Sequence, residues 1–213
     1  VQLEILCNLH STRLLIMKSL HRPDLYTWSA FDPERNVDFN SIAWVRPEGN
    51  ILIDPLPLSD HDWDHLNTLG GAAWIVITNS DHIRDAQAIA QQTQAKIAGP
   101  QAEQDTFPFV CDRWLKEGDE VVPGLLALEL HGSKTPGELA LLLDSIVLIT
   151  GDLVRAHRAN RLMLLPEGKL KDRMQAIASV QRLADLEQIE TILVGDGWSI
   201  FNHGHQALEE LVQ

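Results

Sequence analysis

The residues able to do chemistry collect at five places, each just beyond a short apolar run or before one. They are Asp54, Asn79-Ser80-Asp81-His82, Lys134-Thr135-Pro136-Gly137, Gly151-Asp152 and Gly195-Asp196-Gly197. A rigid sheet aims such loops, so strand-to-loop junctions are where mixed α/β proteins carry their reactive groups. Asn79, Asp81, Asp152 and Asp196 are all oxygen donors, the set preferred by Mg²⁺, Mn²⁺ or Ca²⁺. Lys134 lies in the same series as a candidate acid or electrostatic clamp, and Asp152 as a candidate base. Taken singly, each Asp has an ordinary reading as the cap of the next turn. Their order and spacing along the chain raise the set above that reading.

These loops need strands and helices to hold them. Ile42–Val45 and Ile51–Ile53 flank the turn-like Arg46-Pro47-Glu48-Gly49-Asn50 and read as a hairpin. Ser59 is a natural N-cap for a short acidic helix that Gly70-Gly71 ends. Ala73–Thr78 has strand length, and apolar spacing predicts a helix from about Asp81 to Thr93, with Ile83, Ala86, Ile89 and Ala90 on one face. Leu125–Leu130, Leu139–Leu143 and Ile146–Thr150 read as strands, the last two joined by a tight Asp144-Ser145 turn. A long helix is predicted over about Leu170–Leu186, burying Met174, Ile177, Val180 and Leu183. Thr191–Val194 reads as a last buried strand and Gln206–Val212 as a closing helix. From Ser41 onward the chain thus has two similar halves, compatible with two sheets face to face and helices outside.

Composition narrows the partners. The 213 residues carry 17 Lys+Arg against 30 Asp+Glu, a net charge of −13, which works against nucleic acid and anionic membranes. No apolar run is long enough to span a bilayer. Cys7 and Cys111 are too few for a disulfide framework or a cysteine-rich zinc site, and they read as reduced thiols of a cytoplasmic protein. Residues 1–16 lack a secretory pattern. Met17-Lys18-Ser19 looks like an alternative start, which makes residues 1–16 an N-terminal arm and 17–213 a single domain.

The series Leu52-Ile53-Asp54, Thr78-Asn79-Ser80-Asp81-His82-Ile83-Arg84, Lys134-Thr135-Pro136-Gly137, Thr150-Gly151-Asp152 and Gly195-Asp196-Gly197 resembles the metallo-β-lactamase superfamily over about residues 41–212. The resemblance implies an α/β fold of the four-layer αββα sandwich type. In that family the corresponding positions hold two zinc ions. Carried over one at a time, the first two metal histidines fall on Asn79 and Asp81, and the Asp-His pair on Ile83 and Arg84. The third metal histidine falls on Lys134 and the last on Asp196; the bridging aspartate survives as Asp152. Zinc takes imidazole nitrogen or thiolate sulfur, and an Arg and a Lys repel a divalent cation, so no zinc is expected. If Asp81, Asp152 and Asp196 converge, each like pair at about 4 Å and an effective dielectric near 20 costs roughly 4 kcal/mol. Lys134 is placed to offset this as an internal substitute for the metal.

Other histidines receive different readings. Asp60-His61-Asp62-Trp63-Asp64-His65 mimics the metal motif but has no strand immediately before it, and it reads as a solvated helix. His82, His131, His203 and His205 sit on positions the family does not use; of these His131 is the one singled out. Six tryptophans are mainly core candidates, with Trp198 beside a site loop.

Three classes of function stay open on this reading. The first is a hydrolase-like protein without its zinc centre, serving as a small-molecule-binding or interaction remnant. The second is a hydrolase using one hard divalent cation held by Asp81, Asp152 and Asp196. The third is an enzyme in which Lys134 clamps or donates and Asp152 acts as base. The sequence leaves the ligand and the oligomeric state open.

Overall fold

The computed structural model describes residues 17–213, so the arm expected over residues 1–16 lies outside the described residues. Strands β1 (Lys18–Ser19), β2 (Leu25–Asp32), β3 (Val37–Trp44), β4 (Ile51–Ile53), β5 (Trp74–Val76), β6 (Lys96–Pro100) and β7 (Arg113–Leu115) form one sheet in chain order. Its first four strands pair antiparallel and the rest parallel. The second sheet draws on β8 (Glu120–Val122), β9 (Leu125–Leu130), β10 (Glu138–Leu143) and β11 (Val147–Thr150). A separate hairpin, β12 (Val154–Arg158) with β13 (Arg161–Leu164), precedes β14 (Thr191–Val194), which lies parallel to β11 and completes the order β14-β11-β10-β9-β8.

Side-chain alternation explains the layering. In β10, Leu139, Leu141 and Leu143 join Ile51, Ile53 and Val76 in the core between the sheets. Ala140 and Leu142 point the other way, into a core shared with α3 (Arg173–Ala184) and α4 (Gly204–Val212). Leu52, Ile75 and Ile77 do the same on the first sheet, packing with Leu66 of α1 (Asp60–Thr68) and with Ala86 and Ile89 of α2 (Ala86–Thr93). Strands covered on both faces read as unbroken apolar runs, as β10 and β11 do. The result is helix, sheet, sheet, helix: the four-layer αββα sandwich. No helix among the described residues is long and apolar enough to cross a membrane.

Several local expectations hold in detail. Ile42 pairs with Ile53 across the β3–β4 hairpin, and Ser59 accepts the Asp62 N–H as N-cap. Asp144 and Ser145 both adopt positive φ, 49° and 63°, as the tight turn between β10 and β11 demands.

Others need correction. The helix predicted from Asp81 to Thr93 is divided: a 3₁₀ turn at Ser80–His82, then Arg84 at φ 46°, then α2. The divided segment turns the Asn79–Arg84 side chains to different neighbours, which a continuous helix would not. The long helix is Arg173–Ala184, and Met174 is 75% exposed rather than buried. Its packed face is Ala176, Ser179, Val180, Leu183 and Ala184, set against the sheet. Asp62 is buried, not solvated, accepting the Ser59 hydroxyl and the Met17 N–H.

Candidate functional site

A pocket of about 770 Å³ opens where the two sheets meet, at the loops that follow β4, β5, β11 and β14. Asp81, Arg84, Lys134, Asp152 and Asp196 all line it. Asn79 does not: it is fully buried, and its side-chain oxygen accepts the Asp81 N–H at 2.9 Å to start the 3₁₀ turn.

The Lys134 ammonium lies 2.7 Å from Asp81 Oδ2 and 2.9 Å from Asp152 Oδ2. Burial alone would lower the Lys134 pKa. Hydrogen bonding to Asp81 and the charge on Asp152 outweigh it, so Lys134 is held above the ordinary lysine value and is fully charged. Its backbone is placed by Glu138, a buried carboxyl that binds on both sides of the site. Glu138 accepts the Ser133 hydroxyl, beside Lys134, and the Leu153 N–H at 2.7 Å, beside Asp152. Burial and then the Asp152 charge push Glu138 up to about 7.

His82, set aside in the sequence, is the centre of the buried network. Its Nδ1 is 2.7 Å from Asp54 Oδ2 and its Nε2 is 3.6 Å from Asp152 Oδ2. Asp54 also accepts the Thr78 N–H at 2.8 Å and the Thr78 hydroxyl at 2.6 Å. Burial favours the neutral ring. The Asp54 charge, the nearby Asp152 carboxylate and the hydrogen bond to Asp54 override burial and the repulsion from Arg84, raising the His82 pKa to about 10. The ring is therefore an imidazolium at neutral pH. Burial likewise opposes ionisation of Asp152, but the close His82 ring and Lys134 ammonium, through their charges, hold its carboxyl well below the usual range. Gly195 must lack a side chain here, because a Cβ would come within 2.9 Å of His82 Cε1.

Two arginines finish the arrangement. Arg155, from β12, lies 2.5 Å from Asp196 Oδ2 and donates from Nε to His157 Nε2 at 2.9 Å. Arg84 is held by carbonyls rather than carboxylates. It donates to the Asn40 oxygen, to Asp54 O at 2.8 Å and to Gly195 O at 3.4 Å, tying the first sheet to the loop after β14. Ile83 joins the core under α2.

The sequence reading passed over His82, Arg155 and Glu138. His82 occupies a spacer in the family motif, and only the fold brings it to Asp54, 28 residues earlier. A lone arginine in the apolar run Leu153–Ala156 was the available signal for Arg155. His131, singled out instead, is exposed and bonds through its backbone to Ser179, away from the pocket.

The metal question can be put to these groups. Among the described residues, the only three acidic, histidine or cysteine side chains with ligand atoms within 4.8 Å of one another are His82, Asp152 and Asp196. Asp81 is not among them, which corrects the expected trio Asp81, Asp152 and Asp196. It stands apart, half exposed against Lys134. Each of the three clustered groups already faces a charge: His82 two aspartates, Asp152 an ammonium, Asp196 a guanidinium. These residues do not fit two zinc ions.

A model of the metallo-beta-lactamase superfamily matches residues 17–213, and the chain belongs to that superfamily. Among solved structures, the FIM-1 metallo-beta-lactamase from Pseudomonas aeruginosa in its mono-zinc form is similar at TM-score 0.73 and 13% identity, covering 93% of this chain and 94% of that one. DIM-1 metallo-beta-lactamase gives 0.72 and 15%, covering 93% and 96%. A metallo-beta-lactamase from Pontibacter korlensis gives 0.71 and 15%, covering 93% and 99%. At such identities these likenesses establish the fold alone. No curated protein matches the chain.

Proposed function

We propose that this hydrolase-like chain has exchanged its metal centre for an internal network of side-chain cations and now serves as a small-molecule-binding protein with little or no zinc-hydrolase activity. The observation that carries this reading is the Lys134 ammonium shared by Asp81 and Asp152, at 2.7 and 2.9 Å. Beside it the His82 imidazolium supplies a second fixed positive charge between Asp54 and Asp152. A bound zinc lowers the pKa of water from about 15.7 to about 7. Without that shift, hydroxide attack at neutral pH loses on the order of 10 kcal/mol. A carboxylate base contributes roughly 10²–10⁴-fold, which does not make up the difference.

The test is metal content by elemental analysis of tag-free protein, with thermal shifts against Zn²⁺, Mn²⁺ and Mg²⁺. Less than about a tenth of an equivalent and no shift are expected, and a stoichiometric ion lost in Asp152→Ala would overturn the reading. Lys134→His adds a second check. It is expected to destabilise the protein by about 1–2 kcal/mol, since it removes the partner of a buried carboxylate from a partly solvated site, and added zinc is expected to restore the loss. An unchanged Tm without metal would count against Lys134 as the metal's replacement.

One observation favours a second reading, a hydrolase with a single cation. Asp196 Oδ1 is buried with no hydrogen-bond donor among the described residues, within the cluster formed with His82 and Asp152. Such an ion would have to displace the proton of His82 and the contact of Lys134. The same elemental analysis decides between the two.

A further inference from the structure

The pocket's charge is opposite in sign to that of the protein. Five of the chain's 17 Lys and Arg line it, against three aspartates, in a molecule of net charge −13. Lys134 and Arg155 are matched by Asp81, Asp152 and Asp196. The other three cations have no pocket carboxylate at ion-pair distance, although the charges of Asp54, Asp196 and Asp152 act on Arg84 from further away. Arg84 has only carbonyl and hydroxyl acceptors, with no carboxylate within 4.0 Å among the described residues. Lys169, in the short turn Glu167–Lys169, makes no ion pair among the described residues and is exposed. Arg35 meets Asp32 at 3.6 Å with its own side chain 72% exposed, a contact worth little in water. Val37, Phe39, Leu56 and Pro166 supply apolar wall beside these cations.

Such a surplus focuses the field of a concave site on negative ligands, and the chain's net charge of −13 works against extended polyanions. The volume, about 770 Å³, is that of a site for a small molecule. Resting on the reading of the centre as metal-poor, we propose that the pocket binds a small organic anion, a phosphate monoester or a carboxylate. Its charged group is held by Arg35, Arg84 and Lys169, and its apolar portion lies on Val37, Phe39 and Leu56. A divalent cation is disfavoured by the same surplus, and a neutral ligand gains nothing from it.

The experiment is calorimetric titration of the full chain, first treated with EDTA, at low ionic strength. The probes are phenyl phosphate, benzoate, benzyl alcohol and benzylamine, all carrying one ring but differing in charge. Phenyl phosphate or benzoate is expected to bind with Kd below about 1 mM and to weaken steeply with salt, while benzyl alcohol and benzylamine give no heat. Preference between the two anions identifies the group as phosphate or carboxylate. The double substitution Arg35→Glu with Lys169→Glu, both on exposed side chains, is expected to weaken the anion at least tenfold without lowering Tm. Equal affinity for benzyl alcohol, unchanged affinity in the double variant, or no anion binding would overturn the proposal. Repeating the titration with one equivalent of Zn²⁺ separates the two readings. Anion binding that appears only with zinc overturns both, whereas absent binding in protein that also takes up no metal overturns the ligand class alone.

Discussion

Replacing His82 with Leu is expected to lower the unfolding free energy by about 3–5 kcal/mol at pH 7, read by urea denaturation. Leu preserves most of the volume, so packing changes little; what is lost is the buried positive charge. Asp54 and Asp152 then remain as two carboxylates that have lost the ring they face at 2.7 and 3.6 Å. Removing one partner of a buried ion pair strands the other, and this costs more than the pair contributes when intact. Thr78 still donates two hydrogen bonds to Asp54, and Lys134 still meets Asp152, which sets the lower end of the range. His82→Gln restores a neutral donor and is expected to recover part of the loss. Equal stability of wild type and His82→Leu would show that the ring carries no charge.

The same ring is expected to make stability fall by about 2.5 kcal/mol between pH 7.5 and 9.5, followed by urea midpoints at fixed m. The His82 pKa is raised to about 10 in the folded chain from 6.5, so the folded state keeps a proton that the unfolded state has released. Its contribution is complete below about pH 6.5 and is lost as pH rises through 10, at about 1.4 kcal/mol per pH unit. Glu138 acts with the same sign at lower pH. Raised to about 7, it favours the folded state below 4.5 and loses that contribution as pH climbs through 7. Asp152 acts oppositely: its depressed pKa contributes above 3.8 and fails on acidification. Greatest stability is thus expected on the acid side of neutrality. His82→Gln should flatten the limb from pH 7.5 to 9.5, and a limb that persists in that variant would remove His82 as its source.

Much of the scaffold was legible because its strands are buried on both faces. The runs at Leu139–Leu143 and Ile146–Thr150, with two turn-forming residues between them, admit almost no other reading. Strand β2 was not, since Leu25–Asp32 mixes aromatic, small and polar residues and buries fully only Leu25 and Trp28. The paired strands β12 and β13 were hidden by their arginines, which face the pocket and solvent. In the site, the spacing of Asp81, Lys134, Asp152 and Asp196 could be set against a family pattern. His82 and Arg155 could not, because they are defined by partners 28 and 41 residues away and stand on no motif position. Lys134 could thus be found from the position of an expected ligand, whereas the charge on His82, which stands on a spacer, could not.

Arg84 has a consequence for time rather than for equilibrium. Its guanidinium meets carbonyls 44, 30 and 111 residues away, at Asn40, Asp54 and Gly195. The last of these is in place only when β14 has joined β11 beside the first sheet. A contact between residues so far apart in the chain is expected to form late in folding. Interactions formed after the folding barrier leave the folding rate alone and slow the escape from the native state. Arg84 is therefore expected to act as a latch on the lifetime of the fold: Arg84→Met should speed unfolding in stopped-flow measurements and leave the folding rate nearly unchanged.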